Sequence, residues 1–152
     1  MKTSAGLLAF RRASGGLEVF LVHPGGPFYR SKDDGVWSIP KGEFNEDEEP
    51  LAAAQREFME ETGFVVDGNF MELGTAKQKS GKLVHAWAVA ADFDADAMVS
   101  NTFEMEWPPR SGRKAEFPEV DKGCWYGMAE ARVKIIPGQA EFLERLEALL
   151  AR

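Results

Sequence analysis

Apolar residues along this chain fall in short runs that alternate with polar positions and with glycine or proline turns, a pattern typical of β-strands. The dipeptides Gly15-Gly16 and Ser80-Gly81 each predict a tight turn between two strands. Residues 83–90 are apolar at nearly every position, which favours a central strand buried on both faces. The predicted strands cover residues 4–10, 17–23, 36–39, 70–78, 82–92, 102–107 and 123–128.

Two segments have helical spacing instead. The first begins at Pro50, which suits a first helical turn, and ends before Gly63, a natural C-terminal stop. The second covers residues 138–151, with a helical turn at 129–133 before it. On the first helix the spacing predicts a sheet-facing side made of Leu51, Ala54, Gln55, Phe58 and Thr62, and an outward side made of Ala53, Glu57, Glu60 and Glu61. The element order predicts one α/β domain over residues 1–152, with a mixed sheet between helices.

Three glutamates on the first helix, Glu57, Glu60 and Glu61, are three and four residues apart, so the spacing stacks their charges along one face. Like charges at this spacing destabilise a helix, and Arg56 is the one base among them. A divalent cation would relieve the repulsion. Carboxylate oxygens suit Mg²⁺, and Mn²⁺ is a possible substitute.

The segment from Gly42 to Phe64 resembles the Nudix box. The matching positions are Gly42, Glu48, Arg56, Glu57, Glu60, Glu61 and Gly63, with apolar Phe58 and Phe64. The resemblance implies the Nudix fold, a mixed sheet sandwiched between helices. It also implies a hydrolase that cleaves a nucleoside diphosphate linked to another group, by attack of water on a phosphate.

The resemblance also implies roles for the residues of the box. Glu60 and Glu61 would be the main metal ligands, and Glu57 would be a further ligand or the base that activates water. The carbonyl of Lys41 or Gly42 would complete the metal shell. Arg56 would pair with Glu48 and hold the loop against the helix.

Other candidate site residues lie outside the box. Many Nudix enzymes use one more carboxylate from a loop, for which Glu119 is our first candidate and Glu116 the second. Lys41 is the first candidate for binding phosphate. Further cations that could reach a phosphate chain are Arg30, Lys32, Arg110, Arg113 and Lys114, and aromatic residues that could stack on a base are Phe28, Tyr29, Trp37 and Trp107.

The lead-in Trp37-Ser38-Ile39-Pro40-Lys41-Gly42 is similar to that of dinucleoside polyphosphate and diphosphoinositol polyphosphate hydrolases. It favours a dinucleoside polyphosphate or a nucleoside triphosphate as substrate. The alternatives are MutT-like hydrolysis of oxidised dNTPs, hydrolysis of diphosphoinositol polyphosphates, and a Nudix-fold sensor that binds a nucleotide without cleaving it.

Composition narrows the class of partner. The net charge of −7 arises in residues 42–61, which hold eight acids and one base, while the remainder holds 17 of each. No basic patch dominates, so duplex nucleic acid is not an expected partner.

Cys124 is the one cysteine, which predicts a structural thiol in a reducing compartment. No stretch predicts a secretory signal or a membrane span. We expect a cytoplasmic monomer or homodimer.

Overall fold

The structure is a computed structural model that describes residues 3–152, which form eight β-strands and three α-helices. The strands are β1 Thr3–Ala13, β2 Gly16–Pro24, β3 Lys41–Glu43, β4 Met71–Lys77, β5 Leu83–Ala90, β6 Thr102–Glu106, β7 Lys114–Pro118 and β8 Val120–Gly127. The helices are α1 Pro50–Thr62, α2 Met128–Lys134 and α3 Ala140–Leu150. The first two residues of the predicted domain, Met1 and Lys2, lie outside the described residues.

Six of the strands form one mixed sheet in the order β4-β5-β1-β2-β8, with β3 paired to β1 beside this path. Strands β1 and β5 are parallel, and the other pairs are antiparallel. The two predicted hairpins, β1–β2 and β4–β5, are both present. Strand β5 lies between β4 and β1, so the central position predicted for its apolar run is confirmed.

Both faces of the sheet are covered by helices. Phe58 of α1 packs in one core cluster with Leu7 of β1 and Phe20 of β2. On the other face, Phe142 of α3 packs with Leu8, the neighbour of Leu7 in β1. Because side chains alternate along a strand, β1 contributes to both layers. The predicted α/β class, with a mixed sheet between helices, is therefore confirmed.

Two segments of the main chain differ from the prediction. Residues 36–39 form isolated bridges only, and the strand follows Pro40 instead, as β3, in a segment where no strand was predicted. Strand β7 was not predicted, and it pairs with β6 in a separate two-stranded sheet. Strand β3 is a glycine between two charged residues, so its local pattern is weak. Pairing with β1 supplies the hydrogen bonds that its composition does not predict.

Helix α1 has the predicted ends but not all of the predicted faces. Gly63 adopts a left-handed conformation at φ 79°, and its N–H donates to the carbonyl of Met59 at 2.8 Å. Phe58 is buried as expected, whereas Gln55 is exposed and Ala53 is buried. Glu61 was expected to face outward and is only 8% exposed. The chain near residue 100 packs against this end of the helix and covers part of the predicted outer side.

Cys124 is a free thiol that is partly buried and packs against the core on the α3 side, as a structural thiol would. Among residues 3–152, no helix combines the length and the apolar character that crossing a bilayer needs.

Candidate active site

A cavity of about 350 Å³ brings together carboxylates from distant parts of the chain. We call it the carboxylate cavity. Glu57 and Glu61 are one turn apart on α1, and Glu119 lies in the bend between β7 and β8. The lining residues are Ser4, Lys41, Gly42, Glu43, Glu57, Glu61, Lys82, Asn101 and Glu119. The first candidate outside the box, Glu119, is therefore brought next to two glutamates of the box.

Glu61 is the buried acid of this cavity. Burial is the main cause that raises its pKa to about 8; the charges of Glu57 and Glu119 act in the same direction, and the charge of Lys41 opposes them. A carboxyl group in this setting is costly to ionise because it loses water without gaining enough positive charge. The positive charge of Lys41 offsets only part of this cost.

Glu57 is half-buried and lies directly over the backbone of Gly42. Burial raises the pKa of Glu57, and the charges of Glu60 and Glu119 act in the same direction, whereas Arg56 lowers it. A β-carbon added at Gly42 would lie 2.1 Å from Glu57 Oε2, which is well inside contact distance. A side chain at position 42 would therefore displace the Glu57 carboxylate from its place over the strand.

Arg56 holds three carboxylates at once. Its Nε and Nη2 donate to Glu48 Oε2 and Oε1 at 2.9 and 3.0 Å, a two-pronged pair that matches the predicted contact. Its Nη1 donates to Glu57 Oε1 at 3.0 Å and to Glu60 Oε1 at 2.9 Å. These bonds from Arg56 hold the pKa of Glu48 below its ordinary value. Glu60 is occupied by Arg56 and is not among the residues lining the carboxylate cavity.

Glu119 is positioned by two backbone hydrogen bonds that pass through Asn101. The Asn101 N–H donates to the carbonyl of Glu60 at 2.8 Å, and the Glu119 N–H donates to the carbonyl of Asn101 at 2.9 Å. On the other side, the Gly25 N–H donates to the carbonyl of Glu119 at 2.9 Å. The second candidate, Glu116, is elsewhere: it projects from β7 and accepts a hydrogen bond from Thr102. Asn101 was not predicted, and no local sequence signal marks it.

The donor set suits a hard divalent cation. Carboxylate oxygens from Glu57, Glu61 and Glu119 face one cavity, with the backbone of Lys41 and Gly42 beside them. Within residues 3–152, no three Asp, Glu, His or Cys side chains already form a complete metal-binding group. A divalent ion would supply the missing positive charge.

Two further cavities share lining residues with the carboxylate cavity. The first, of about 180 Å³, shares Lys41, Glu61 and Glu119 with it. The second, of about 270 Å³, shares Pro24, Ser38 and Lys41 with the first. We call the second one the Tyr29 cavity; its lining residues are Pro24, Tyr29, Gly35, Val36, Ser38, Lys41, Gln78, Ile136 and Gln139. Two predicted substrate-binding residues, Lys41 and Tyr29, are thus brought together.

The largest of these openings, about 610 Å³, is separate and shares no lining residue of the described chain with the carboxylate cavity. It contains Arg30, Lys32 and Trp37, three of the residues predicted to bind substrate, which therefore lie apart from the carboxylate cavity. Trp37 is 3% exposed, with its ring edge-on to His23 and Tyr126, so it has no free face for stacking. The α2 residues Glu130 and Lys134 line the same opening.

The remaining candidates are also away from the carboxylates. Phe28 and Trp107 pack edge to face against each other. Arg110 and Arg113 lie in the connection between β6 and β7, and Lys114 of β7 pairs with Glu104 across the small sheet. None of these five residues lines the three connected cavities.

The chain was compared with protein-family models, with curated proteins and with solved structures. A family model described as NUDIX domain matches residues 2–146. No curated protein matches the chain. A solved structure of a Caenorhabditis elegans Ap4A hydrolase binary complex is 22% identical, covers 99% of this chain and 98% of its own, and has a TM-score of 0.69. The NUDIX domain of Shewanella oneidensis NrtR complexed with ADP ribose is 17% identical, with 97% and 87% covered and a TM-score of 0.68.

A third solved structure extends the comparison. The C-terminal domain of mouse MUTYH, in complex with human PCNA, is 16% identical, with 99% and 90% covered and a TM-score of 0.62. At these identities the likeness to solved structures concerns the fold.

Proposed function

The chain belongs to the NUDIX family and is a pyrophosphohydrolase, and we propose that it is Mg²⁺-dependent and hydrolyses a phosphoanhydride bond in a nucleoside diphosphate-linked compound. The observation that carries the proposal is Glu61, a buried acid with a raised pKa that shares a cavity with two more carboxylates and Lys41. An acidic cavity of this kind would repel a pyrophosphate unless a cation lay between them.

The metal would be held by Glu57, Glu61 and Glu119, with the carbonyl of Lys41 or Gly42 in the same shell. Glu60 would join this set if Arg56 released it. When bound, a divalent cation neutralises phosphate charge and lowers the pKa of a water molecule. Mg²⁺ is the proposed ion and Mn²⁺ a substitute, because both take oxygen ligands.

The protein residues supply position and charge. Lys41 lines all three connected cavities, so its ammonium group can bind a phosphate oxygen between the carboxylates and the Tyr29 cavity. Arg56 orients Glu57 and stays protonated at any working pH. Glu57 then acts as a metal ligand or as the base that accepts the proton of the attacking water. Phosphoryl transfer depends mainly on such positioning and electrostatics.

A dinucleoside polyphosphate or a nucleoside triphosphate is the proposed substrate. The connected cavities offer an acidic end for the scissile phosphates and a more apolar end with Tyr29, whose side chain is 41% exposed. The solved Ap4A hydrolase shares the fold, which agrees with this choice. The retained carboxylates favour hydrolysis over binding alone, because a sensor has no use for a metal site of this charge.

A substrate panel with Mg²⁺ tests the proposal. It contains dinucleoside polyphosphates, normal and oxidised dNTPs, ADP-ribose and diphosphoinositol polyphosphates, with products identified by mass. We expect metal-dependent cleavage that Glu61→Gln and Glu119→Gln both abolish. Glu116→Gln is the matched control and should retain wild-type turnover, since Glu116 lies on β7 away from the cavity. Tight nucleotide binding without any product would refute hydrolysis and favour the alternative of a sensor that binds a nucleotide without cleaving it.

The one cysteine of the chain, Cys124, is a free thiol, and this supports a proposed location in the reducing cytoplasm. A homodimer or a monomer remains the prediction for the oligomeric state.

A further inference from the structure

We propose that His23, with both ring nitrogens protonated, positions the loop that carries Tyr29, and that this loop loosens when the ring loses one proton. The inference rests on the proposed function, because Tyr29 forms a wall of the cavity proposed to receive the more apolar part of the substrate. His23 lies near the end of β2, outside the box.

The ring of His23 is buried and bonded at both nitrogens. The residue is 8% exposed. Its Nε2 lies 2.6 Å from the carbonyl oxygen of Lys32, and its Nδ1 lies 2.8 Å from Oδ1 of Asp121. The ring also packs edge-on against Trp37, with 5.3 Å between the ring centroids. These three contacts define the orientation of the ring.

Both hydrogen-bond partners of the ring are acceptors. The carbonyl oxygen of Lys32 has no hydrogen to donate, so Nε2 must carry one. The ionised carboxylate of Asp121 likewise only accepts, so Nδ1 must carry a hydrogen as well. A neutral imidazole has a single N–H and could make only one of these two bonds. The geometry therefore fits the imidazolium form of His23, which forms an ion pair with Asp121.

The bond to Lys32 reaches Tyr29 through one turn of the loop. The Lys32 N–H donates to the carbonyl of Tyr29 at 3.0 Å, and the Lys32 ammonium lies 5.5 Å from the centroid of the Tyr29 ring. Tyr29 lines the Tyr29 cavity, whereas His23 lines the separate opening of about 610 Å³. His23 therefore acts on this cavity through the loop, as a positioning residue.

The part of the loop that follows this turn is held by α2. The Gly35 N–H donates to the carbonyl of Lys134 at 3.0 Å, and the Lys134 ammonium pairs with the Asp33 carboxylate at 2.6 Å. These bonds do not involve the imidazole ring. Loss of a ring proton should therefore loosen residues 28–32 and leave residues 33–37 in place.

Charged and titratable groups from three elements surround the ring. They line the same opening as His23 and are Arg30, Lys32 and Asp33 of the loop, Asp121, Lys122 and Tyr126 of β8, and Glu130 and Lys134 of α2. Histidine is the type of side chain that ordinarily changes its charge near neutral pH. A step in loop stability within that range is therefore assigned to the ring.

The test follows the ring and the loop over the same pH range. NMR of the ring nitrogens reports the protonation of His23, and the His85→Gln variant assigns its signals because the chain has two histidines. Hydrogen exchange, corrected for the intrinsic effect of pH on the exchange rate, reports the opening of residues 28–32. We expect both ring nitrogens to be protonated while these residues are protected. The loss of one ring proton should share its midpoint with a loss of protection of about fivefold or more.

Two substitutions separate the ring proton from the rest of the side chain. His23→Gln can donate to the Lys32 carbonyl or to Asp121 but has no proton to lose. At a pH below the wild-type midpoint it should raise the exchange of residues 28–32 and the KM of the fastest-cleaved panel substrate by about five- to tenfold. The pH step should disappear, and kcat should stay within about twofold because the carboxylates are untouched.

Asp121→Asn is the second substitution, at an exposed position. Asparagine keeps an acceptor for Nδ1 but removes the negative charge that favours the imidazolium, so the shared midpoint should move to lower pH. This variant keeps the test decisive if a thermal melt shows that His23→Gln does not fold. His85→Gln is the matched control. His85 lies on β5 and bonds to Glu72, so its loss should leave the midpoint and KM unchanged.

The outcomes separate this inference from the proposed function. A ring with one bare nitrogen while residues 28–32 are protected overturns the role of His23. Separate midpoints for the ring and the loop, or wild-type exchange and KM in a folded His23→Gln variant, do the same, and all of these results keep the hydrolase. Absence of hydrolysis of every panel substrate overturns the proposed function, and the NMR and exchange midpoints then decide the role of His23 without it.

Discussion

The metal-free protein should be stabilised by Glu61→Gln, increasingly so as the pH rises. Glutamine has nearly the same shape as a protonated Glu61 side chain and is also uncharged. It therefore fits the site without burying a charge. The folded-state pKa of Glu61 is about 8, above its ordinary value of 4.5. A raised carboxyl pKa contributes stability below pH 4.5 that is lost as the pH rises through 8. Wild type should therefore lose more stability over this range than the variant.

The magnitude follows from the size of the shift. Each unit of pKa difference corresponds to about 1.4 kcal/mol of free energy of unfolding. The variant should exceed wild type by about 1 kcal/mol at pH 5, about 3 kcal/mol at pH 7 and about 5 kcal/mol at pH 9. For a chain of 152 residues, the difference at pH 9 amounts to about 10–20 °C in melting temperature.

Urea and thermal unfolding in EDTA, from pH 5 to pH 9, measure this difference. Glu144→Gln on an exposed position of α3 is the control and should follow wild type at every pH. Added Mg²⁺ should restore wild type at pH 9 more than it stabilises Glu61→Gln, because the ion compensates the charge that the variant lacks. If the stabilities of wild type and Glu61→Gln changed in parallel across this pH range, Glu61 would not be a buried group that ionises within it.

Three further substitutions test other parts of the site. Gly42→Ala should lower kcat by about 100-fold at unchanged helix content by circular dichroism, because its β-carbon would displace the Glu57 carboxylate; wild-type kcat would contradict the close approach. Phe58→Ala should lower the free energy of unfolding by about 3–5 kcal/mol in urea, since its ring is fully buried; an unchanged midpoint would mean that α1 packs otherwise. Arg56→Lys should reduce kcat/KM at least tenfold, because an ammonium group cannot hold Glu48 in two-pronged fashion and Glu57 at the same time.

The parts of the site that depend on local chemistry were predictable from the sequence. Helix α1 begins at Pro50 and ends at Gly63 because both residues act on their own turn of the backbone. The pairing of Arg56 with Glu48 spans eight residues and was part of a recognisable pattern. Glu119 was only a candidate suggested by the family resemblance, and it is the topology of distant segments that brings it beside Glu57 and Glu61.

The parts that failed depend on contacts between distant segments. The burial of Glu61 arises from the chain near Asn101, and nothing within one helical turn of Glu61 indicates it. Helical periodicity describes one helix on one surface, and it misplaces a residue that is covered from a second side. The ring of His23 bonds to residues 9 and 98 positions away, so its protonation could not be read from the sequence around it.

The hydrogen bonds through Asn101 have a consequence for how this site tolerates mutation. Both bonds use main-chain atoms, the N–H and the carbonyl of Asn101, to join Glu60 to Glu119. For this link, every residue type with a free N–H would serve at position 101, and proline alone would break it. A mutational scan should then find proline to be the least tolerated residue at position 101. The position of Glu119 depends on the path of the backbone, so a comparison of side chains alone would not detect what holds it in place.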